Sequence, residues 1–327
     1  MKGVTGVEPF LEVRGLTKNF DIGGRALHAV DHISFTLAQG RTLGVVGESG
    51  CGKSTLGKII VGLQSATDGQ VLFKGRDITH ADRRRRKELR REMQIIFQDP
   101  MSSLDPRLCT ADLIAEPLSI YKVCPDRACR EARVRELMDL VGISRHMMYA
   151  YPHELDGGRR QRIGIARALA LDPEFVVCDE PVSALDVSIQ AQVLNLLREL
   201  QRAKNLTYLF ITHDLSVVKH ISDDILVMYM GQMVEKVPAK ELFRMPLHPY
   251  TTGLLSAIPI PNIHHKRERI IMEGEITVPI DLKPGCHFAA RCPYACEQCR
   301  REQPPLVEFR PNHFVACHRV QELYGTP

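Results

Sequence analysis

The segment GESGCGKST, residues 47–55, combines residue types that bind phosphate. It fits the pattern G-x-x-x-x-G-K-[ST] and lies between the apolar run RTLGVVG and a stretch of helical spacing, GKSTLGKIIVGL. The glycines allow backbone N–H groups to curl around phosphate oxygens, and the N-terminus of the following helix adds positive potential. The sequence therefore predicts a phosphate loop, whose members are Gly47, Ser49, Gly50, Cys51, Gly52, Lys53, Ser54 and Thr55.

The two residues after the last glycine make this prediction specific. Lys53 is placed to neutralise terminal phosphates, and the Ser54 hydroxyl to bind Mg²⁺. A glycine-rich turn that binds nothing would not explain a Lys-Ser pair at this position. We therefore expect a phosphate ligand together with Mg²⁺.

Two carboxylates end the apolar run FVVCDE, which predicts a buried strand over residues 175–180. Asp179 is placed to hold Mg²⁺ through water, and Glu180 to polarise an attacking water. Cys178 is interpreted as a small core residue. Two more candidates follow apolar strands: His213 for the γ-phosphate and the water, and Gln98 for Mg²⁺ and the water. Alone, each is also typical of an ordinary polar group at a strand end.

The elements that must position these residues alternate along the chain. LEVRGL, HISFTL, RTLGVVG, FVVCDE and LTYLFIT predict strands, and helical spacing is seen over residues 53–61, roughly 109–170 and 188–203. Such alternation is typical of an α/β fold with a parallel sheet. After about residue 260 the chain changes to prolines, charges and clustered cysteines, so we place a domain boundary there.

Bulk composition excludes some classes of protein. The 327 residues are 44% hydrophobic and 25% charged with a net charge of +4, which is ordinary for a globular protein. No apolar run reaches the ~18 residues of a membrane span, and no signal peptide is present, so we expect the chain to stay in the cytosol. The basic segment ADRRRRKELRRE, residues 81–92, is interpreted as a solvated helix face rather than a patch that binds nucleic acid.

The phosphate loop, FVVCDE, ITHD and a Gly157-Gly158 segment occur in an order that resembles the nucleotide-binding subunit of an ABC transporter, over roughly residues 10–320. The resemblance implies an α/β P-loop NTPase fold of the ABC type, with a parallel-sheet core, an antiparallel β part and a helical subdomain at about 105–170. It implies a nucleotide-binding domain over 1–259 and a small Cys-rich C-terminal extension over 260–327. The implied ligands are ATP and Mg²⁺, the metal being held through Ser54, Gln98 and Asp179.

The same resemblance assigns roles to single residues. Phe20 matches the aromatic residue that stacks on adenine, Gln98 the Q-loop, and His213 the switch histidine. Two such subunits sandwich two ATP molecules, each held between one subunit's phosphate loop and the other's signature. The D-loop residues are Ser183 and Asp186, and the signature residues that would face the partner's ATP are Asp156, Gly157, Gly158 and Arg159.

The signature departs from the family pattern, which usually has Ser and Gln where this chain has Asp156 and Arg159. An ionised Asp cannot donate a hydrogen bond to the γ-phosphate and would repel it by roughly 1–4 kcal/mol per unit charge. Alternatively, Asp156 caps its own helix as well as Ser would, leaving the glycine N–H groups and the arginines to face phosphate. The sequence leaves these two interpretations open.

The segments QDPMSSLDPR, residues 98–107, and HPYTTGLLSAIP, residues 248–259, narrow the resemblance to importers of dipeptides, oligopeptides and nickel. This family implies several partners: a second and different ATPase subunit, two transmembrane permeases, and an extracellular or periplasmic solute-binding protein. It places the chain peripherally at the cytoplasmic face of the membrane. No nucleic-acid partner is expected.

Five cysteines lie within the tail, Cys286, Cys292, Cys296, Cys299 and Cys317. In a reducing compartment such clustering favours thiolates around a soft metal or an iron–sulfur cluster over disulfides. The spacing of Cys286, Cys292, Cys299 and Cys317 resembles that of the peptide importers, which implies a [4Fe–4S] cluster with Cys296 as an extra residue. A zinc site with four sulfurs and unligated thiols are the alternatives.

Two other functions compete with import. A soluble ABC ATPase acting on nucleic acid or the ribosome has faint support from residues 81–92. However, only about 100 residues separate Lys53 from Asp156, which leaves no room for a long coiled coil, and translation-type members carry two cassettes in one chain. An inactive regulatory cassette is disfavoured because Glu180 and His213 are both present.

Overall fold

The computed structural model describes residues 9–258, 270, 272, 274, 279–280, 282 and 284–325. The strands of this part of the chain are β1 (Leu11–Ile22), β2 (Arg25–Leu37), β3 (Thr42–Val46), β4 (Asp68–Phe73), β5 (Arg76–Asp77), β6 (Met93–Ile96), β7 (Phe175–Asp179), β8 (Thr207–Thr212), β9 (Asp224–Tyr229), β10 (Gln232–Pro238), β11 (Val307–Arg310) and β12 (His313–Val315).

The helices are α1 (Lys53–Ile60), α2 (Arg83–Glu92), α3 (Pro100–Ser103), α4 (Thr110–Ile120), α5 (Arg127–Leu140), α6 (Gly157–Leu169), α7 (Val187–Lys204), α8 (Leu215–Ile221), α9 (Ala239–Arg244), α10 (Pro249–Ser256), α11 (Glu297–Arg301) and α12 (Val320–Tyr324). Two short 3₁₀ turns cover Arg145–Met147 and Pro152–Glu154.

The chain divides into two compact units. The first comprises residues 1–38, 42–80 and 212–327. It contains a four-stranded antiparallel sheet in the order β2-β1-β4-β5. Its other strands follow the order β11-β12-β10-β9-β3, in which only β3 and β9 run parallel, with Val45 opposite Leu226. All five residues of β3 are buried, as their apolar sequence predicts.

The second unit comprises residues 39–41 and 81–211. Strands β6, β7 and β8 run parallel in that order, with Ile95 opposite Val177 and Val177 opposite Leu209. Every residue of β7 and β8 is buried, which accounts for their continuous apolar sequences. The carboxyl ends of parallel strands share one edge of a sheet, so β7 delivers its terminal carboxylates to that edge.

Aspartate is the usual helix cap in this chain. In six helices an aspartate side chain accepts a hydrogen bond from a backbone N–H of the first turn, which satisfies a donor that has no partner within the helix. These helices and their caps are α2 with Asp82, α3 with Asp99, α5 with Asp126, α6 with Asp156, α7 with Asp186 and α8 with Asp214.

Most of the predicted elements are confirmed. The predicted strand, phosphate loop and helix correspond to β3, residues 47–52 and α1, and the helix predicted over 188–203 is α7. The helical stretch over 109–170 is divided into α4, α5 and α6. The boundary placed near residue 260 lies outside the described residues, and the separate helical and C-terminal domains stay predictions.

The tail differs from its sequence-based description. The sequence after about residue 260 shows little periodicity to support an extended core, but β11 and β12 form a hairpin, and β12 pairs with β10. A small apolar core joins Phe309 of β11 and Val315 of β12 to Leu247 and Val320. Strand β12 is only three residues long, so its pairing depends on the neighbouring strand β10 rather than on a recognisable local pattern.

Candidate functional site

The phosphate loop joins β3 to α1 in a backbone conformation that requires glycine. Gly47 has φ of 156°, and a Cβ at this position would lie 2.2 Å from the carbonyl oxygen of Met228. Gly52 has φ of 101°, and its Cβ would lie 1.8 Å from the carbonyl oxygen of Ala29. The loop is therefore fixed both by its own torsions and by the chain packed behind it.

Lys53 begins α1 and is buried, with 4% of its surface exposed. Its ammonium Nζ donates to the carbonyl oxygens of Gly47 at 2.8 Å and Glu48 at 2.9 Å. The backbone of the loop thus holds this ammonium beside the expected position of the terminal phosphates, whose charge it would neutralise.

The other predicted loop residues surround Lys53. Ser54 and Thr55 are half-buried in the first turn of α1, while Ser49 and Gly50 are exposed at the tip of the loop. The Cys51 thiol is buried, and burial raises its pKa. Cys51 therefore packs beneath the loop as a neutral side chain.

Phe20 lies near the end of β1, opposite Leu27 of β2, and is half-buried. The Nζ atom of Lys18 lies 4.9 Å from the centre of its ring. An aromatic ring with one exposed face and a nearby cation can stack on an adenine base. The stacking role of Phe20 stays a prediction.

The carboxylates predicted from FVVCDE lie at the end of β7. Asp179 and Glu180 are 4% and 8% exposed, respectively. Glu180 has φ of 46°, a left-handed conformation that is uncommon for residues other than glycine, and its N–H donates to the carbonyl oxygen of Ile211 at 2.9 Å. Residues held in sparsely populated conformations cluster at active sites.

The structure brings two of the predicted catalytic residues together. The Nε2 atom of Gln98, which follows β6, donates to Oε2 of Glu180 at 3.0 Å. Both residues belong to the second unit. His213, the third candidate, belongs to the first unit, directly follows β8 in the chain and is exposed.

The signature begins α6, where Asp156 is the helix cap. One carboxylate oxygen accepts from the N–H of Arg159 at 2.8 Å, and the other lies 3.4 Å from the Arg159 guanidinium. Arg160 donates to the carbonyl oxygen of Pro152 at 2.6 Å. This geometry is the capping arrangement that the sequence left as one of two interpretations.

The signature glycines pack closely against side chains of the D-loop and of α7. A Cβ on Gly157 would lie 3.1 Å from Leu185, and a Cβ on Gly158 would lie 2.5 Å from Ile189. A side chain at Gly158 would therefore require Ile189 or the helix that carries it to shift. The paired glycines thus bring the start of the signature helix close to the D-loop.

The D-loop residues Ser183 and Asp186 are fixed by local hydrogen bonds. The Ser183 hydroxyl donates to the carbonyl oxygen of Glu180 at 3.1 Å. Asp186 accepts from the N–H of Ile189 at 3.0 Å, and this backbone hydrogen bond lowers its pKa. Both residues are therefore positioned relative to Glu180 and α7.

Four of the five tail cysteines line one cavity. The cavity wall also includes His248, Phe288 and Tyr294, and its cysteines are Cys286, Cys292, Cys299 and Cys317. Burial raises the pKa of Cys286 to about 11 and of Cys317 to about 12, and also raises that of Cys292 and Cys299. All ten cysteines of the chain are free thiols.

Cys296 differs from these four cysteines. It does not line the cavity, although its Sγ lies 3.5 Å from that of Cys299, and the N–H of Cys299 lowers its pKa. Across the residues that the structure describes, no three His, Cys, Asp or Glu side chains are grouped so as to hold one metal ion. The predicted iron–sulfur cluster therefore gains no direct support from these residues.

Sequence analysis missed one pair of site residues. Arg291, which precedes Cys292, donates from both terminal nitrogens to the carboxylate of Glu48 in the phosphate loop, at 2.8 and 3.0 Å. The available signal was the presence of Glu48 itself, an acidic residue inside a loop that binds phosphate.

A glycine-rich loop with a buried lysine, a strand ending in Asp-Glu and a glycine-led helix beside a D-loop define an ATPase of the ABC type. Comparison with known proteins agrees. Residues 30–183 match the ABC transporter family, and residues 234–299 match the C-terminal region of oligopeptide/dipeptide transporters.

Relatives from Bacillus subtilis (strain 168) resemble the whole chain. The oligopeptide transport ATP-binding protein OppF is 51% identical over 96% of this chain and 98% of its own length. The oligopeptide transport ATP-binding protein AppF is 50% identical over 95% of this chain and 97% of its own length. The chain therefore belongs to the ABC transporter family, in the branch of the oligopeptide transport ATP-binding proteins.

Solved structures show the same fold. The ATP-binding cassette MJ0796, in a dimeric post-hydrolysis state bound to ADP and Pi, is 26% identical with a TM-score of 0.65, covering 70% of this chain and 98% of its own. The cbiO1 protein of Clostridium perfringens, part of the ABC transporter complex cbiONQ, is 27% identical with a TM-score of 0.64, covering 72% and 91%. The predicted P-loop fold of the ABC type is confirmed.

Within the described ranges, none of the helices has both the length and the apolar character needed to span a membrane.

Proposed function

We propose that this chain is the ATP-hydrolysing subunit of an importer, which couples ATP binding and hydrolysis to the uptake of peptides or a related small solute. The observation that carries the proposal is its similarity, at 50–51% identity over nearly the full length, to proteins named for oligopeptide transport. The match of residues 234–299 to the C-terminal region of such transporters supports the same conclusion. Glu180 and His213 are both present, which argues against an inactive cassette.

The proposed chemistry gives each ATPase residue one role. Glu180 accepts a proton from the attacking water. The Gln98 amide, which is hydrogen-bonded to Glu180, orients both the carboxylate and the water. Lys53 neutralises negative charge on the departing γ-phosphate and on the phosphates that remain in ADP. His213 contacts the γ-phosphate. Oxygen donors suit Mg²⁺, which Ser54, Gln98 and Asp179 would hold.

A second ATPase subunit completes the site. In the proposed dimer, the signature residues Asp156, Gly157, Gly158 and Arg159 face the ATP held by the partner's phosphate loop. The D-loop residues Ser183 and Asp186 lie beside that signature. Two permeases and an extracellular or periplasmic solute-binding protein complete the transporter, and this subunit lies peripherally at the cytoplasmic face of the membrane.

A [4Fe–4S] cluster and a zinc ion make different demands on the four cysteines of the cavity. In such a cluster each thiolate binds a different iron, so four sulfurs need only surround a common space. A zinc site with four thiolates requires all of them within ~2.3 Å of one ion. Among the described residues, the cysteines line one cavity without converging on a point. We propose Cys286, Cys292, Cys299 and Cys317 as the ligands of a cluster that would cross-link the tail.

The experiment is a solute-uptake assay in cells from which this subunit has been deleted. Restoring the wild-type chain should restore uptake of labelled di- and oligopeptides, whereas the Glu180→Gln chain should not, despite assembling with the permeases. Failure of both chains to alter uptake of peptides or other small solutes, together with co-purification of this chain with ribosomes instead of permeases, would refute the proposal.

A further inference from the structure

A carboxylate within the phosphate loop requires an explanation. Glu48 lies between Gly47 and Ser49, in a loop whose function is to bind the anionic phosphates of ATP. An uncompensated negative charge here would repel the ligand. Neither the loop pattern nor the catalytic residues account for an acidic side chain at this position.

The charge of Glu48 is compensated from the cysteine-rich tail. Arg291 and Glu48 are separated by 243 residues, and their two hydrogen bonds form a bidentate pair. Both side chains are largely buried, with 8% of Arg291 and 16% of Glu48 exposed. Solvent and salt screen a pair in such surroundings much less than an ion pair on the surface.

Arg291 is itself held in place on several sides. Its N–H donates to the carbonyl oxygen of Phe288 at 3.0 Å, and its guanidinium carbon lies 5.9 Å from the ring centre of Tyr229. The ring of Phe288 packs against Tyr229 and Tyr250 at centroid distances of 5.3 and 5.5 Å. This aromatic cluster fixes the direction in which the guanidinium extends.

The backbone of Glu48 is fixed by the same group of residues. Its N–H donates to the hydroxyl of Tyr250 at 2.9 Å, and its carbonyl oxygen accepts from Lys53 at 2.9 Å. Displacement of the Glu48 side chain would therefore also displace the carbonyl that binds the phosphate-loop lysine.

We propose that Arg291 is a positioning residue of the ATP site, which acts through Glu48 by neutralising a negative charge that would otherwise oppose the phosphates of ATP. The tail then contributes a residue that affects ATP binding at the nucleotide site. This inference uses the ATPase activity of the family and does not depend on which solute is carried or which group the cysteines bind.

The tail connects Arg291 to the cysteine cavity over a very short distance. Cys292 follows Arg291 directly and lines that cavity, and the N–H of Cys286 donates to the carbonyl oxygen of Cys299 at 2.7 Å. The turn that presents Arg291 is thus anchored by cavity residues at both ends. Damage to the cavity should therefore reach the ATP site through the Arg291–Glu48 pair.

The test measures the Kd for Mg-ATP in the assembled complex for three variants: Arg291→Ala, Glu48→Gln and the double variant. Arg291→Ala exposes the Glu48 charge to the phosphates and should weaken binding by about tenfold or more. Glu48→Gln leaves the arginine charge near the phosphates and should tighten binding several-fold. The double variant has neither charge and should bind within about threefold of wild type.

Arg301→Ala is the matched control, because Arg301 lies in the same tail and pairs with Glu297 on the surface. Its Kd should equal that of wild type. A purely structural pair predicts that Glu48→Gln weakens binding and that the double variant stays as weak as Arg291→Ala. Either result, or an unchanged Kd for Arg291→Ala, would overturn the proposal. Glu48→Gln alters no tail residue, so it decides the sign of the effect even if Arg291→Ala does not fold.

Discussion

The Nε2 atom of Gln98 lies 3.0 Å from Oε2 of Glu180 and donates a hydrogen bond to it, although the two residues are 82 positions apart in the chain. This contact joins the loop after β6 to the proposed general base at the end of β7. A movement of Gln98 therefore changes the hydrogen bonding of the carboxylate that activates water. In the proposed transporter, docking of a permease near Gln98 would couple transport to hydrolysis through this contact.

Replacing Glu180 by Gln should separate ATP binding from hydrolysis. The amide keeps the size of the side chain but cannot accept the proton of the attacking water, so turnover should fall by ~10² or more while ATP still binds. The measurement compares phosphate release with the Kd for Mg-ATP in the complete transporter. Glu241→Gln, at an exposed glutamate paired with Arg244, is the control. Normal turnover in the Glu180 variant would remove it from the catalytic role.

Replacing Asp156 by Ser should distinguish the helix-capping role of this residue from the effect of its negative charge on ATP. Serine caps a helix about as well as aspartate, so the free energy of unfolding should change by less than about 0.5 kcal/mol. If Asp156 faces the partner's ATP, removing its charge should tighten ATP at that site or raise total hydrolysis. Both quantities are measured in the heteromeric complex.

The matched control for this prediction is Asp126→Ser, which changes the cap of α5 in the same chemical way. It should leave both ATP affinity and turnover unchanged. If Asp156→Ser gives the same result as Asp126→Ser, the aspartate of the signature is only a helix cap, and the two ATP sites do not differ on its account.

The lining of the cysteine cavity predicts which thiols are needed to hold the proposed cluster. Protein purified without oxygen should be brown and contain iron and sulfide, and changing Cys286, Cys292, Cys299 or Cys317 to Ser should remove the colour. Cys296→Ser is the control and should keep it, because Cys296 lies outside the cavity lining. Iron, sulfide and visible absorbance are measured on each variant. Colourless wild-type protein with stoichiometric zinc would refute the cluster and indicate a zinc site instead.

The buried His248 should make the protein less stable in mild acid. Burial lowers its pKa from 6.5 to about 4, so the unfolded chain binds a proton between these values that the folded chain does not. On account of His248, the free energy of unfolding is therefore highest above about pH 6.5 and falls as the pH decreases toward 4. The expected loss between pH 7 and pH 5 is about 2 kcal/mol.

The measurement is the free energy of unfolding at pH 7 and pH 5 for wild type and His248→Asn. Asparagine does not titrate, and its side-chain oxygen can replace Nδ1 as the acceptor for the N–H of Tyr250. The variant should lose about 2 kcal/mol less than wild type over this range. Equal losses in the two proteins would show that His248 is not responsible.

Local sequence determined the phosphate loop, the Asp-Glu strand end and the boundaries of α1 and α7, because torsion requirements, apolar periodicity and helix caps act between near neighbours. The glycines of the loop and Asp186 at the start of α7 are such signals. The resemblance that followed from these motifs also predicted the family.

Tertiary structure alone decided which distant groups meet. Nothing in the sequence near Arg291 indicates that it compensates Glu48. The resemblance set Cys296 apart from the other four tail cysteines, but only the structure shows that those four line one cavity. Strand β12 likewise depends on its partner β10. Ion pairs, cavities and strand pairings join residues far apart in the chain, so their partners are fixed only when the chain has folded.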